Sequence, residues 1–143
     1  MTILLGVLAG IIFLSYSFYF YKIMLGKPED FELELLKSLA DWMVGRGTKS
    51  RSDLWTLYFV AIILEIFYFI LVFTIIKHPV LLGVTGFFVG IEVIHMAFVA
   101  RSFSRFFSGK IVLKELFNWK MERISGLAFF THSFLLLVCL IFF

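Results

Sequence analysis

Four long apolar stretches run along the chain, separated by shorter polar segments. They cover about residues 3–21, 54–76, 80–100 and 125–143. Each is close to the ~20 helical residues that cross a hydrocarbon core of about 30 Å. None alternates apolar and polar residues as the strands of a membrane barrel do, and a lone segment in lipid must pair its backbone amides internally. The pattern therefore predicts a single domain of four transmembrane helices packed as a bundle.

The composition favours a membrane protein over a water-soluble one. Of the 143 residues, 62% are hydrophobic, 20% are aromatic and only 16% are charged. Soluble domains are roughly 45–50% apolar and about 25% charged, and a soluble fold of this length has too little interior for so much apolar surface. The single cysteine, Cys139, excludes an internal disulfide framework. We expect an all-α integral membrane protein.

The basic residues predict the orientation of the bundle. Of the 13 lysine and arginine residues, all except Lys77 lie in the two longer loops, which follow the first and third spans. Because cytoplasmic loops are enriched in these residues, both longer loops are predicted inside and both termini outside, in a prokaryotic plasma (inner) membrane. Topology and contacts with lipid headgroups account for the net charge of +3, so we expect no nucleic-acid partner.

The first long loop contains an amphipathic segment at residues 28–44. Apolar side chains such as Phe31 and Trp42 recur on one side at helical spacing, whereas Lys37 and other polar residues occupy the opposite side. Residues 110–123 carry a weaker version of this pattern. We expect the first segment to be a helix in the cytoplasmic membrane interface. The alternative is that both segments bind a cytoplasmic partner.

Small residues recur at spacings that favour close helix packing. The first and third spans each contain a GxxxG pair, and small side chains repeat every seven residues along the third. In lipid such residues let helix backbones approach closely. They predict either packing within one chain or contacts with other copies or other membrane subunits. The residues concerned are Gly6, Gly10, Gly83, Gly86, Gly90 and Ala97.

Four ionisable side chains fall within the predicted spans: Glu65, Glu92, His95 and His132. Such groups cost at least about 2.5–3.5 kcal/mol each at membrane depth, so they usually face a partner or a cavity. Counted along the helices from the basic residues, they lie near the midplane or in the cytoplasmic half. We therefore expect one buried polar cluster, with Glu92 and His95 on the side of the third span opposite Gly90.

Three kinds of chemistry remain open for this cluster. The first is structural, with hydrogen bonds between helices fixing their packing. The second is a cofactor: His95 and His132 as axial ligands of a b-type haem, or the four side chains together around one divalent metal ion. The third is a proton or cation pathway.

The sequence contains none of the common enzyme motifs, such as HExxH, a P-loop, GxSxG or GxGxxG. We therefore expect no catalytic residues, and predict a small non-enzymatic membrane subunit that assembles with copies of itself or with a larger membrane complex. The alternatives are a haem- or metal-binding electron-transfer anchor and an oligomeric proton or cation channel.

Overall fold

The computed structural model describes all 143 residues, which form five α-helices and no β-strand. The helices are α1 (Thr2–Met24), α2 (Pro28–Arg46), α3 (Lys49–Ile75), α4 (Pro79–Phe107) and α5 (Trp119–Phe142). A short 3-10 helix at Leu113–Glu115 precedes α5. Helices α1, α3, α4 and α5 are each long and apolar enough to cross a membrane. The predicted all-helical architecture with four long apolar helices is confirmed.

All four long helices extend beyond the predicted apolar stretches, and α3, α4 and α5 do so furthest. Helix α3 begins at Lys49, α4 continues to Phe107, and α5 begins at Trp119. Charged residues such as lysine, arginine and glutamate are good helix formers, so these helices continue into polar sequence that hydropathy does not mark. At the opposite end, Pro79 begins α4, where its missing N–H costs no hydrogen bond.

Helix α2 is the amphipathic segment predicted at residues 28–44. Glu29 lies in its first turn, where a negative charge interacts favourably with the helix dipole. Gly47 ends the helix with a φ of 60°, a conformation that glycine adopts without a Cβ clash. Leu39 and Trp42 pack against a small apolar cluster formed by α3, α4 and the loop before α5. Helix α2 therefore lies against one end of the four-helix bundle.

That end of the bundle is where α1 and α4 finish and α3 and α5 begin, and we call it the basic end. Its apolar cluster is built on Leu54, Phe103 and Leu116. A larger core cluster occupies the rest of the bundle and includes Val72 and Leu136, neither of which has exposed surface. Helix α5 contributes to this core while packing along α1 and against α4, which in turn contacts α3.

Helices α1 and α5 approach closely at Gly126. A Cβ atom built on this residue would lie 3.1 Å from Cδ1 of Tyr19. Tyr16 of α1 stacks on Phe129 of α5, with ring centroids 5.2 Å apart. The absence of a side chain at Gly126 thus lets two aromatic residues of α1 pack directly on α5, as small residues do between membrane helices.

Most of the apolar surface of the long helices faces outward. Only 25 of the 143 residues are buried, and large apolar side chains are exposed on every long helix, including Ile11, Ile63, Phe87 and Ile141. Soluble monomers rarely expose contiguous apolar surface on this scale. The four apolar helices are therefore compatible with an integral membrane protein.

Candidate functional site

Helix α4 has two chemically different faces. Its polar side chains within the bundle are buried, whereas its small residues are exposed on the other side. The buried residues are Leu81, Thr85, Phe88, Glu92, His95 and Phe103. The exposed small residues are Gly83, Gly86, Gly90 and Ala97. This separation of faces agrees with the angles expected for a helix with 3.6 residues per turn.

On the buried face, His95 lies between two carboxylates. Its Nδ1 atom is 3.1 Å from Oε2 of Glu92, one turn earlier on α4, and its Nε2 atom is 2.9 Å from Oε1 of Glu122 on α5. The His95 and Glu92 side chains are 9% and 3% exposed, and that of Glu122 is 23% exposed. We call Glu92, His95 and Glu122 the carboxylate–histidine triad.

One oxygen of the triad has no partner. Oε1 of Glu92 is buried and makes no hydrogen bond, and it is the only buried side-chain oxygen or nitrogen in the protein of which this is true. Leaving such an atom unpaired costs roughly 1–3 kcal/mol, and more when the group is charged. Buried orphan oxygens are rare in folded proteins, so this atom requires an explanation.

Further titratable groups surround the triad. Glu65 of α3 is half-buried, makes no hydrogen bond, and lies close enough to Glu92, His95 and Glu122 to interact with their charges. Tyr16 of α1 faces the same carboxylates. Three of the four predicted site residues, Glu65, Glu92 and His95, lie in one region. What this region does stays a prediction.

A cleft of about 220 Å³ leads to the triad from the outside of the bundle. It lies between α1, α2 and α5, and Glu122 forms part of its wall together with Tyr16 and Trp119. Glu122 is therefore the member of the triad that borders on the surroundings, while Glu92 is the innermost member.

His132 occupies a separate site with neutral partners. Its Nδ1 atom is 2.9 Å from the hydroxyl of Tyr68, and its Nε2 atom is 2.8 Å from the hydroxyl of Thr85. The Thr85 hydroxyl donates its single hydrogen to the Leu81 carbonyl at 2.7 Å, so it must accept from Nε2–H of His132. Nδ1 then accepts from Tyr68. This assigns a neutral imidazole with every polar atom paired.

His132 therefore lies apart from the other three predicted site residues. Thr85 precedes His95 by ten residues, so the two histidine sites are roughly 15 Å apart along α4. The depth predicted from the sequence assumed that Arg101 and Arg123 mark the same level. In the structure Glu122 lies at the same height along the bundle as His95. Arg123 is therefore further from the basic end than Arg101 is. His132, which follows Arg123 by nine residues, is further still.

The arrangement gives no metal ion a ready set of ligands. No group of three or more His, Cys, Asp or Glu side chains has the geometry to hold one. Both ring nitrogens of His95 and of His132 are engaged in hydrogen bonds, so a haem iron would have to displace one of these partners at each histidine. The haem alternative stays a prediction without a supporting contact.

The predicted glycines play little part in packing within the chain. A Cβ built on Gly6 would reach Leu140 of α5 at 3.9 Å, which is ordinary contact. One built on any of the remaining four predicted glycines would meet no other atom within 4 Å. Gly126, which the GxxxG pattern does not include, makes the close approach instead. The glycines of α4 are therefore free to contact something outside the chain.

Arg123 of α5 connects α5 to α2 and, through Glu32, to α1. Its Nε and Nη2 atoms donate to the two carboxylate oxygens of Glu32 on α2, at 2.6 and 3.0 Å, and Tyr19 of α1 donates to the same carboxylate at 3.2 Å. The sequence pattern had placed α2 only by its apolar side. Arg123 shows that a buried acidic residue on α2 also fixes it to the bundle.

The two segments proposed as partner-binding, 28–44 and 110–123, lie beside each other. A cleft of about 550 Å³ separates α2 from the 3-10 helix and the start of α5, and both acidic and basic side chains line it. Partner binding at these segments remains a prediction.

No protein-family model, no curated protein and no solved structure matches the chain.

Proposed function

We propose that the chain is an integral membrane protein that crosses the bilayer through α1, α3, α4 and α5. The exposed apolar side chains of these four helices support insertion. The concentration of lysine and arginine in the loops of the basic end supports a cytoplasmic location for that end and an outside location for both termini. A prokaryotic plasma membrane fits this arrangement.

Within the membrane, the proposed role is that of a non-enzymatic subunit that assembles through the exposed face of α4. The observation that carries this proposal is the open space beside Gly83, Gly86 and Gly90. A glycine inside a helix is less favourable than alanine by roughly 0.5–1 kcal/mol, and no neighbour within the chain uses the space that these three leave. A second helix packed into the groove would use it.

A second copy of this chain is the occupant that the α4 face fits best. The glycine stripe is flanked by exposed apolar side chains, including Val84, Phe87 and Val93, and no charged side chain interrupts it. Two such stripes can pack against each other about a two-fold axis, since the same surface then serves both partners. Assembly with a different membrane subunit is the alternative.

The test is the stoichiometry of the protein in lipid vesicles, measured by counting photobleaching steps of singly labelled chains. We expect dimers for the natural sequence and mostly monomers for Gly86→Leu and Gly90→Leu, because a leucine fills the groove. Gly10→Leu is the matched control, since it adds the same side chain at an open glycine on α1.

Either of two results would contradict self-assembly through α4. One is a natural chain that is monomeric in vesicles, which leaves a different subunit as the occupant. The other is loss of the dimer in Gly10→Leu but not in the α4 variants, which moves the interface to α1.

A further inference from the structure

The two hydrogen bonds of His95 set a minimum number of protons for the carboxylate–histidine triad. Each bond joins a ring nitrogen to a carboxylate oxygen, at 3.1 Å to Glu92 and 2.9 Å to Glu122. A nitrogen lone pair facing a carboxylate lone pair at this distance is repulsive, so each bond must contain a proton. With two protons the triad carries one net negative charge, whichever atoms hold them.

The orphan oxygen of Glu92 shows where the triad is incomplete. Glu92 is 3% exposed, its Oε2 atom bonds to His95, and its Oε1 atom has no donor. A buried carboxylate with one oxygen that has no donor is costly, and the nearby Glu65 supplies no positive charge to offset that cost. Protonation of Glu92 removes its negative charge and with it most of this cost.

The triad has an entrance at one end and none at the other. Glu122 borders the cleft of about 220 Å³ and is partly exposed. Beyond Glu92, the buried ring of Phe88 packs among Phe69 and Phe129, and no hydrogen bond links Glu92 to the His132 site. A proton that reaches Glu92 therefore has a hydrogen-bonded path back to the cleft but no such path across the bundle.

We propose that the carboxylate–histidine triad is a proton-loading site that takes up one proton through Glu122 from water in the cleft and stores it on Glu92. In the step, Nδ1–H of the doubly protonated His95 transfers its proton to Oε2 of Glu92. His95 becomes neutral and keeps Nε2–H, which still donates to Oε1 of Glu122. The ionised Glu122 takes a proton from hydronium at its other oxygen. The triad gains one proton, loses its negative charge, and leaves water in the cleft.

The charged and titratable groups around His95 come from three helices besides its own. Helix α3 contributes Glu65 and Tyr58, whose hydroxyl donates to the Met96 carbonyl at 3.0 Å, α1 contributes Tyr16, and α5 contributes Glu122. None of these neighbours supplies a fixed positive charge. The negative charges of the carboxylates around His95 can therefore be compensated only by protons bound within the site.

Infrared spectroscopy of the purified full-length chain in lipid tests the proposal, because a protonated buried carboxylic acid has its own carbonyl stretching band. Oε1 of Glu92 accepts no hydrogen bond, so the acid form of Glu92 should absorb at a higher frequency than that of Glu122, whose Oε1 atom is bonded to His95. We expect this higher-frequency band in acid solution, its loss as the pH is raised, and its absence at every pH in Glu92→Gln. Tyr68→Phe at the His132 site is the matched control and should leave the band unchanged. A band that disappears in Glu65→Gln but persists in Glu92→Gln, or no band in the natural protein, overturns the proposal.

A second variant keeps the test decisive if Glu92→Gln does not fold. Glu122→Gln removes the group that receives the proton from the cleft but leaves the inner carboxyl in place. Transfer through a positioned acid or base accelerates proton exchange by roughly 10²–10⁴-fold, so the deuterium shift of the band should slow by about 10²-fold. An unchanged exchange rate would show that the proton reaches Glu92 by another route.

Discussion

His95 and His132 are both buried in the bundle and each connects α4 to α5, yet their partners differ in kind. His132 bonds to two hydroxyl groups, and every polar atom of that site is paired in a neutral state. His95 bonds to two carboxylates, and the site as a whole has an unpaired oxygen. A buried histidine is thus a closed structural connection in one place and, in the proposal above, an exchangeable proton site in the other. The partners, rather than the residue type, decide which.

The largest loss of stability is expected when His95 is removed. His95→Leu leaves Glu92 and Glu122 facing each other without a positive charge, and breaking a buried ion pair in this way costs about 3–5 kcal/mol. SDS-induced unfolding in mixed micelles, followed by tryptophan fluorescence, measures the loss. The triple variant His95→Leu/Glu92→Leu/Glu122→Leu should recover much of it, because no buried charge is left. Equal stability of the single and triple variants would show that the carboxylates are not charged in the absence of His95.

Removal of His132 should have a smaller effect. In His132→Leu the Tyr68 hydroxyl loses its acceptor and Thr85 loses a donor, with a cost of about 1–3 kcal/mol by the same unfolding measurement. The all-apolar variant His132→Leu/Tyr68→Phe/Thr85→Val should be close to the natural protein, since no buried group is then unpaired. If that triple variant is less stable than His132→Leu alone, the site is not the closed, neutral one described above.

The contrast between the two sites lies beyond what the sequence alone predicts. Hydropathy identifies the four long helices because length and apolar content suffice, and helical spacing separates the two faces of α4. The register between α4 and α5 is set by packing, and the charge pattern misplaces it because Arg123 bonds to Glu32 instead of marking a membrane boundary.

Glu122 was missed for the same reason, because it stood among loop residues in the sequence pattern. It does carry a signal that could have identified it. Glu122 precedes Phe129 by seven residues and therefore lies on the buried face of α5. Extending that periodicity backwards past the apolar stretch would have placed a carboxylate inside the bundle.

Glu32 differs from Glu92 because it is a buried carboxylate whose partner carries a permanent positive charge. Its side chain is 4% exposed, like that of Glu92, but Arg123 donates to both of its oxygens from a position that is 32% exposed. A guanidinium stays charged at all ordinary pH values, so Glu32 needs no proton for compensation. The two buried glutamates thus differ in whether the partner can itself lose a proton.

A smaller loss of stability is therefore expected when Glu32 keeps a charged partner. Arg123→Lys retains the positive charge and removes the bidentate hydrogen bonding to Glu32. The loss should be about 1 kcal/mol or less in the unfolding measurement, because solvent screens the partly exposed cation. Arg46→Lys is the matched control, since Arg46 makes one bond to Asp53 with both side chains more exposed, and it should cost less still. A loss from Arg123→Lys as large as that from His95→Leu would mean that geometry, and not the supply of positive charge, governs how this bundle holds a buried carboxylate.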